Sequence, residues 1–140
     1  MLTAAVLLWM AALTGYDVSQ CRLPNRLTLP GFAAVMLVAA GSGHCPAAAL
    51  GAAVLTTIYL LVHLLAPTAM GAGDVKLALG LGALTGCFGA DVWFLAAIAA
   101  PFLTAVVGIV ARLGWSAKAV PHGPSMCLAS AAALGLAQLA

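Results

Sequence analysis

The sequence predicts an all-helical, polytopic membrane protein: about six transmembrane helices in a single transmembrane domain, residues 1–140, with both termini extracytoplasmic. Two observations set the class. Of 140 residues, 65% are hydrophobic and only 6% are charged, with a mean hydropathy of +1.18, whereas soluble domains are roughly a quarter charged. A span needs about 20 apolar residues, so this length with short connections allows at most six and leaves no room for a soluble domain. A third observation sets the orientation. The basic residues Arg22, Arg26, Lys76, Arg112 and Lys118 all fall in or beside the first, third and fifth connections, and Lys and Arg collect on the cytoplasmic side.

The first apolar run, Met1 to Tyr16, is followed so soon by further apolar sequence, and preceded by so little charge, that it reads as a retained span rather than a cleaved signal. Its end places Tyr16 and Asp17 at the membrane lip. From Asp17 to Pro30 the chain is at its most polar, and Pro24 pushes Leu23 out of helical geometry, so a loop is expected there. A second span is expected from Leu27 to Ala40, then a Gly-Ser-Gly-His-Cys-Pro turn, then a third span from Ala47 to Leu65 with His63 near its end as an interfacial residue or helix-to-helix hydrogen bonder.

After a loop from Ala66 to Gly73, a fourth span is expected from Val75 to Cys87, where Gly80, Gly82 and Gly86 suit close helix packing in lipid. Asp91 is expected to be an interfacial N-cap for a fifth span, Val92 to Val110. Arg112 to Pro121 is a further loop, and Pro121-His122-Gly123-Pro124 leads into a last span, Ser125 to Ala140. Cys21, Cys45, Cys87 and Cys127 are dispersed with no C-x-x-C pair, so no metal is expected, and Cys87 and Cys127 read as small buried hydrophobes. The net charge of +2 is small and its basic residues scattered, which argues against a nucleic-acid partner.

Chemistry concentrates in Met70-Gly71-Ala72-Gly73-Asp74-Val75-Lys76-Leu77, one of only three places where the chain keeps a carboxylate. Gly71 and Gly73, just ahead of Asp74, clear the space around it and permit unusual backbone angles. Asp74 also suits the start of a helix, where the dipole favours its charge. Asp17 occupies an equivalent setting 74 − 17 = 57 positions earlier, two spans and a turn away, so both acids emerge on the same face and can meet. Two carboxylates brought close share a proton, and the pair can activate water at one oxygen while donating to a carbonyl at another. No nucleophile elbow, ligand-spaced histidine pair or phosphate-binding loop competes.

Taken together, Asp17, Arg22-Leu23-Pro24-Asn25-Arg26-Leu27-Thr28-Leu29-Pro30, Gly71-Ala72-Gly73-Asp74-Val75-Lys76-Leu77 and Pro121-His122-Gly123-Pro124 resemble the type IV prepilin peptidases, membrane aspartic peptidases of the GxGD kind, in order and over essentially the entire chain. The resemblance implies that Asp17 and Asp74 are the catalytic pair, with no cofactor. It implies site-shaping or substrate-binding roles for Gly71, Gly73, Lys76, Pro24, Asn25, Gly123 and Pro124. It also implies a cell-membrane enzyme with its site on the cytoplasmic side, whose partners are the bilayer and single-span prepilin-like precursors, of the Flp/Tad pilin or pseudopilin kind, cut before their hydrophobic segment. The larger members' zinc-bearing methyltransferase segment is not expected, and neither is N-methylation of the product. His122 stands where the family more often has an aromatic or aliphatic residue. From another class, a small membrane carrier or scaffold could use the same acids for protons or cations.

Overall fold

The computed structural model describes residues 1–115 and 120–140. Among the described residues six helices follow one another: α1 (Leu2–Gln20), α2 (Asn25–Gly41), α3 (Cys45–Leu65), α4 (Ala72–Cys87), α5 (Ala90–Trp115) and α6 (Gly123–Leu139). The protein is all-α, as its composition predicts. In length and hydropathy, α1, α3 and α5 are sufficient to cross a membrane, while α2 and α6 are shorter apolar helices of 17 residues each.

Each of α2 to α6 begins two or three residues before its apolar run does. The reason is common to all five. The first-turn N–H groups have no partner inside the helix, so small or polar residues such as Asn25, Gly73, Asp91 and Gly123 can occupy that turn before hydrophobicity begins. The largest correction falls on the first connection. Helix α1 continues through Asp17 to Gln20 and α2 starts at Asn25, so the loop expected from Asp17 to Pro30 contracts to residues 21–24. Cys21 ends α1 with a left-handed backbone, φ 49° and ψ 32°, and Pro24, extended at φ −70° and ψ 136°, sets the start of α2. Pro30 lies inside α2, near the exposed Arg26 whose carbonyl loses its helical donor there. Asp91 is the second residue of α5 and exposed, a favourable charge in the first turn but not the N-cap. Lys118, counted among the orienting cations, lies outside the described residues.

Helix α4 is the centre of the bundle. Leu77, Ala78 and every residue from Gly80 to Gly86 are buried, with no exposed stripe, because α2, α3, α5 and α6 pack around it. Its glycines make this possible. A Cβ on Gly82 would stand 2.6 Å from the Gly51 carbonyl oxygen of α3, and one on Gly86 2.7 Å from that of Ala47. Gly51 in turn is closed against the Gly82 carbonyl. Helix backbones therefore touch along this seam, the packing that lipid favours for small residues. Gly80 instead makes room for Trp9 of α1, whose ring a Cβ would meet at 2.8 Å. Indole donors complete the frame: Trp9 Nε1 donates to the Leu27 carbonyl at 2.9 Å and Trp93 Nε1 to the Gly51 carbonyl at 3.0 Å. These bonds tie α1 to α2 and α5 to α3 without leaving a buried N–H unpaired.

A methyl group added at the α3–α4 seam should push two backbones apart. Gly82→Ala is expected to destabilise the protein by about 1–3 kcal/mol, the usual cost of overpacking. Gly108→Ala on α5, where a Cβ meets nothing within 4 Å, should be neutral or slightly stabilising. Thermal unfolding in detergent compares them, and equal Tm values for the two variants would contradict the seam.

Candidate active site

On α1 the buried residues are Met10, Leu13 and Asp17, spaced three and four apart on one face. The face that packs α1 into the bundle therefore carries its carboxylate inward at its C-terminal end. Helix α4 presents Asp74 from the opposite direction, in its first turn. Asp17 and Asp74 line one open cleft of about 320 Å³, together with Arg22 and Leu23 from the first connection and Gly71, Gly73 and Lys76 from the start of α4. The two carboxylates act on each other electrostatically.

Each acid is held by a backbone donor at a helix start. The Gly123 N–H at the head of α6 donates to Asp17 Oδ2 at 2.9 Å. The Gly71 N–H, at the N-cap of α4, donates to Asp74 Oδ2 at 3.3 Å. Asp74 thus makes the side-chain half of a capping box, which Gly71 lacks a side chain to return. Capping and lining the cleft are compatible, since Oδ2 takes the backbone bond and Oδ1 is left for a water or a substrate.

Of the glycines in Gly71-Ala72-Gly73-Asp74, only Gly73 serves space, and neither has a left-handed backbone. Gly71 has φ −76° and ψ 154°, angles open to any residue. Gly73 is needed because a Cβ there would lie 3.2 Å from Leu23 Cβ, where the first connection crosses the start of α4. Gly123 is tighter still: a Cβ would meet Asp17 Oδ2 at 2.5 Å.

A model of the type IV leader peptidase family matches residues 4–133. The chain belongs to the type IV leader peptidase family. No curated protein and no solved structure matches it significantly. The family match spans both acids, the Gly-Ala-Gly-Asp turn and Pro-His-Gly-Pro, and it gives the protein a general function of the type IV leader peptidase kind, a membrane peptidase.

In this leader peptidase family member the remaining sequence-predicted site residues fall into supporting positions. Lys76 lines the cleft and its Nζ donates to Asn25 Oδ1 at 2.7 Å, bridging α4 to the first residue of α2. Pro24 is the N-cap that starts α2 at Asn25. Pro124 sits in the first turn of α6, where a fixed φ suits the helix start and keeps Gly123 in place. His63 bonds through Nδ1 to the Met70 carbonyl at 2.7 Å, pinning the end of α3 to the residue before Gly71. The bond runs from a helix to the following connection, and not from helix to helix.

His122 is half-buried and bonded on both sides, to Tyr59 Oη at 3.1 Å through Nε2 and to Thr104 Oγ1 through Nδ1. Burial lowers its pKa from the ordinary value. Neither Tyr59 nor Thr104 is singled out by the sequence. The available signal is spacing: Tyr59 lies four residues before His63 on an otherwise apolar helix and so shares its face. Among the described residues, no group of three His, Cys, Asp or Glu side chains is placed to hold a metal ion.

Gly123→Ala tests the clearance above Asp17 directly. The added methyl must displace either the carboxylate or the start of α6, and misplacement of about 1 Å can cost on the order of a hundredfold in rate. Peptidase activity is expected to fall by about that factor with the protein still inserted and folded. Wild-type turnover in this variant would show that the close Gly123–Asp17 approach is dispensable.

Proposed function

We propose that this protein is a membrane aspartic endopeptidase that removes the short leader of type IV prepilin-like precursors, Flp/Tad pilins or pseudopilins, at the cytoplasmic face. The observation that carries the reading is the convergence of Asp17 and Asp74 on one open cleft. A single proton shared by the pair lets one carboxylate take a proton from water while the other gives one to the scissile carbonyl oxygen. That proton belongs to the pair, and its apparent pKa values do too. Water adds to the carbonyl carbon, the tetrahedral species collapses, and the amine leaves with a proton returned by the pair.

The shape of the site supports a substrate cut at the edge of its apolar segment. Peptide groups within a membrane helix are already hydrogen-bonded, so the accessible bond is one at a helix end. The cleft lies at the end of the bundle where α1 finishes and α2 and α4 begin, which suits a chain emerging from the bilayer there. Arg22, Arg26 and Lys76 belong to the same end, and the preference of basic residues for the cytoplasmic side supports placing the cleft, and the outward termini, accordingly.

Asp17→Asn and Asp74→Asn are each expected to lower cleavage of a synthetic leader peptide by about a hundredfold to ten-thousandfold, the range for losing an acid or base, without loss of insertion or folding. Full processing by either variant rules out the pair, and ion or proton flux in vesicles without cleavage would favour a carrier. The side is testable separately. Cys21 is exposed on the cleft, so a membrane-impermeant maleimide should label it from the cytoplasmic face and not from the outer one; the reverse pattern contradicts the assigned orientation.

A further inference from the structure

His122 joins three helices at a single imidazole. Tyr59 reaches it from α3, Thr104 from α5, and His122 itself is the residue before α6. Its ring packs against that of Tyr59 with centroids 5.6 Å apart. Although His122 occupies the N-cap position, its side chain makes no capping bond to its own helix. The imidazole is committed sideways.

Counting donors gives one self-consistent placement of the protons. A hydroxyl carries one proton, and Thr104 gives its own to the Ala100 carbonyl at 3.1 Å. Thr104 Oγ1 can then only accept from His122, so Nδ1 is the protonated nitrogen. In the neutral ring Nε2 is left as an acceptor, and the Tyr59 hydroxyl donates to it. The chain runs in one direction, from Tyr59 to His122 to Thr104 to Ala100.

One peptide bond further on, the Gly123 N–H donates to Asp17 Oδ2. The direction of that N–H is set by the planar peptide joining His122 to Gly123. Clamping the imidazole on both sides therefore aims the donor. We infer that His122 is a positioning residue for Asp17: the Tyr59–His122–Thr104 chain holds the ring in its Nδ1–H form and thereby directs the Gly123 N–H onto the carboxylate. The inference rests on the reading of Asp17 as one of the catalytic acids.

Thr104 is the position to change, because it neither lines the cleft nor bonds to either acid. The experiment combines nitrogen NMR of histidine-labelled full-length protein in micelles, with His122→Phe assigning the signal, and kcat and KM for leader-peptide cleavage. The wild type should show a protonated Nδ1 and a bare Nε2 at His122. Thr104→Val keeps the shape and loses the hydroxyl. It should lose that signature and lower kcat by about ten- to a hundredfold with KM unchanged, and Thr104→Ser should restore both. A wild-type Nε2–H ring overturns the inference, as does wild-type kcat in Thr104→Val. If Thr104→Val fails to insert, Tyr59→Phe removes the other partner: a comparable drop in kcat supports the chain and an unchanged kcat overturns it. A wild type that cleaves no leader peptide counts against the proposed function, while the tautomer still decides the inference.

Discussion

Helix starts are where this structure keeps its unspent hydrogen bonds. A bilayer offers no water to free N–H groups, so a membrane bundle must find partners for the first turn of every helix. At one end of this bundle, two of those first turns, those of α4 and α6, meet carboxylates. Satisfying backbone donors and fixing a pair of acids are one act here. The same partial positive charge that a helix N-terminus presents also favours the negative carboxylates that the cleft collects.

For α4 and α6 to point their starts at the same place, their axes must be fixed, and packing does this. Helix α4 is encased on all sides, and its backbone touches α3 through Gly51, Gly82 and Gly86. Such contact leaves little freedom to slide, because backbone cannot yield as a flexible side chain can. On the far side, Asp17 is placed by the buried face of α1 that includes Met10 and Leu13. The site is therefore a consequence of core packing carried to its end, with Gly73 and Gly123 supplying clearance at the last step.

Much of this was legible in the residues. Composition alone predicted the helical membrane class, and the scarcity of carboxylates drew attention to Asp17 and Asp74, which line the same cleft. Hydrophobicity marks where a helix is buried and not where it begins, so it places each start late; Asn25 and Gly123 lie in first turns that carry no apolar signal. The loop after Asp17 is shorter than its residues suggest for a similar reason: Ser19 and Gln20 look polar enough to end a span, but α1 continues through them to the left-handed Cys21. Gly71 was expected to supply unusual backbone angles, and the structure uses its neighbour Gly73 for space instead. Tyr59 and Thr104 were not legible, since a tyrosine and a threonine in apolar helices look ordinary until the tertiary fold brings a histidine between them.

Proximity of the two acids is the claim on which the rest depends, and it can be measured without assuming any activity. In a chain whose native cysteines are replaced, Asp17→Cys and Asp74→Cys together offer two thiols at the positions of the carboxylates. A short bifunctional thiol reagent, followed by mass spectrometry of the intact protein, reads whether one molecule bridges them. The account predicts a single intramolecular bridge in membranes at low protein density. Two separate adducts, one on each thiol and never joined, would contradict it.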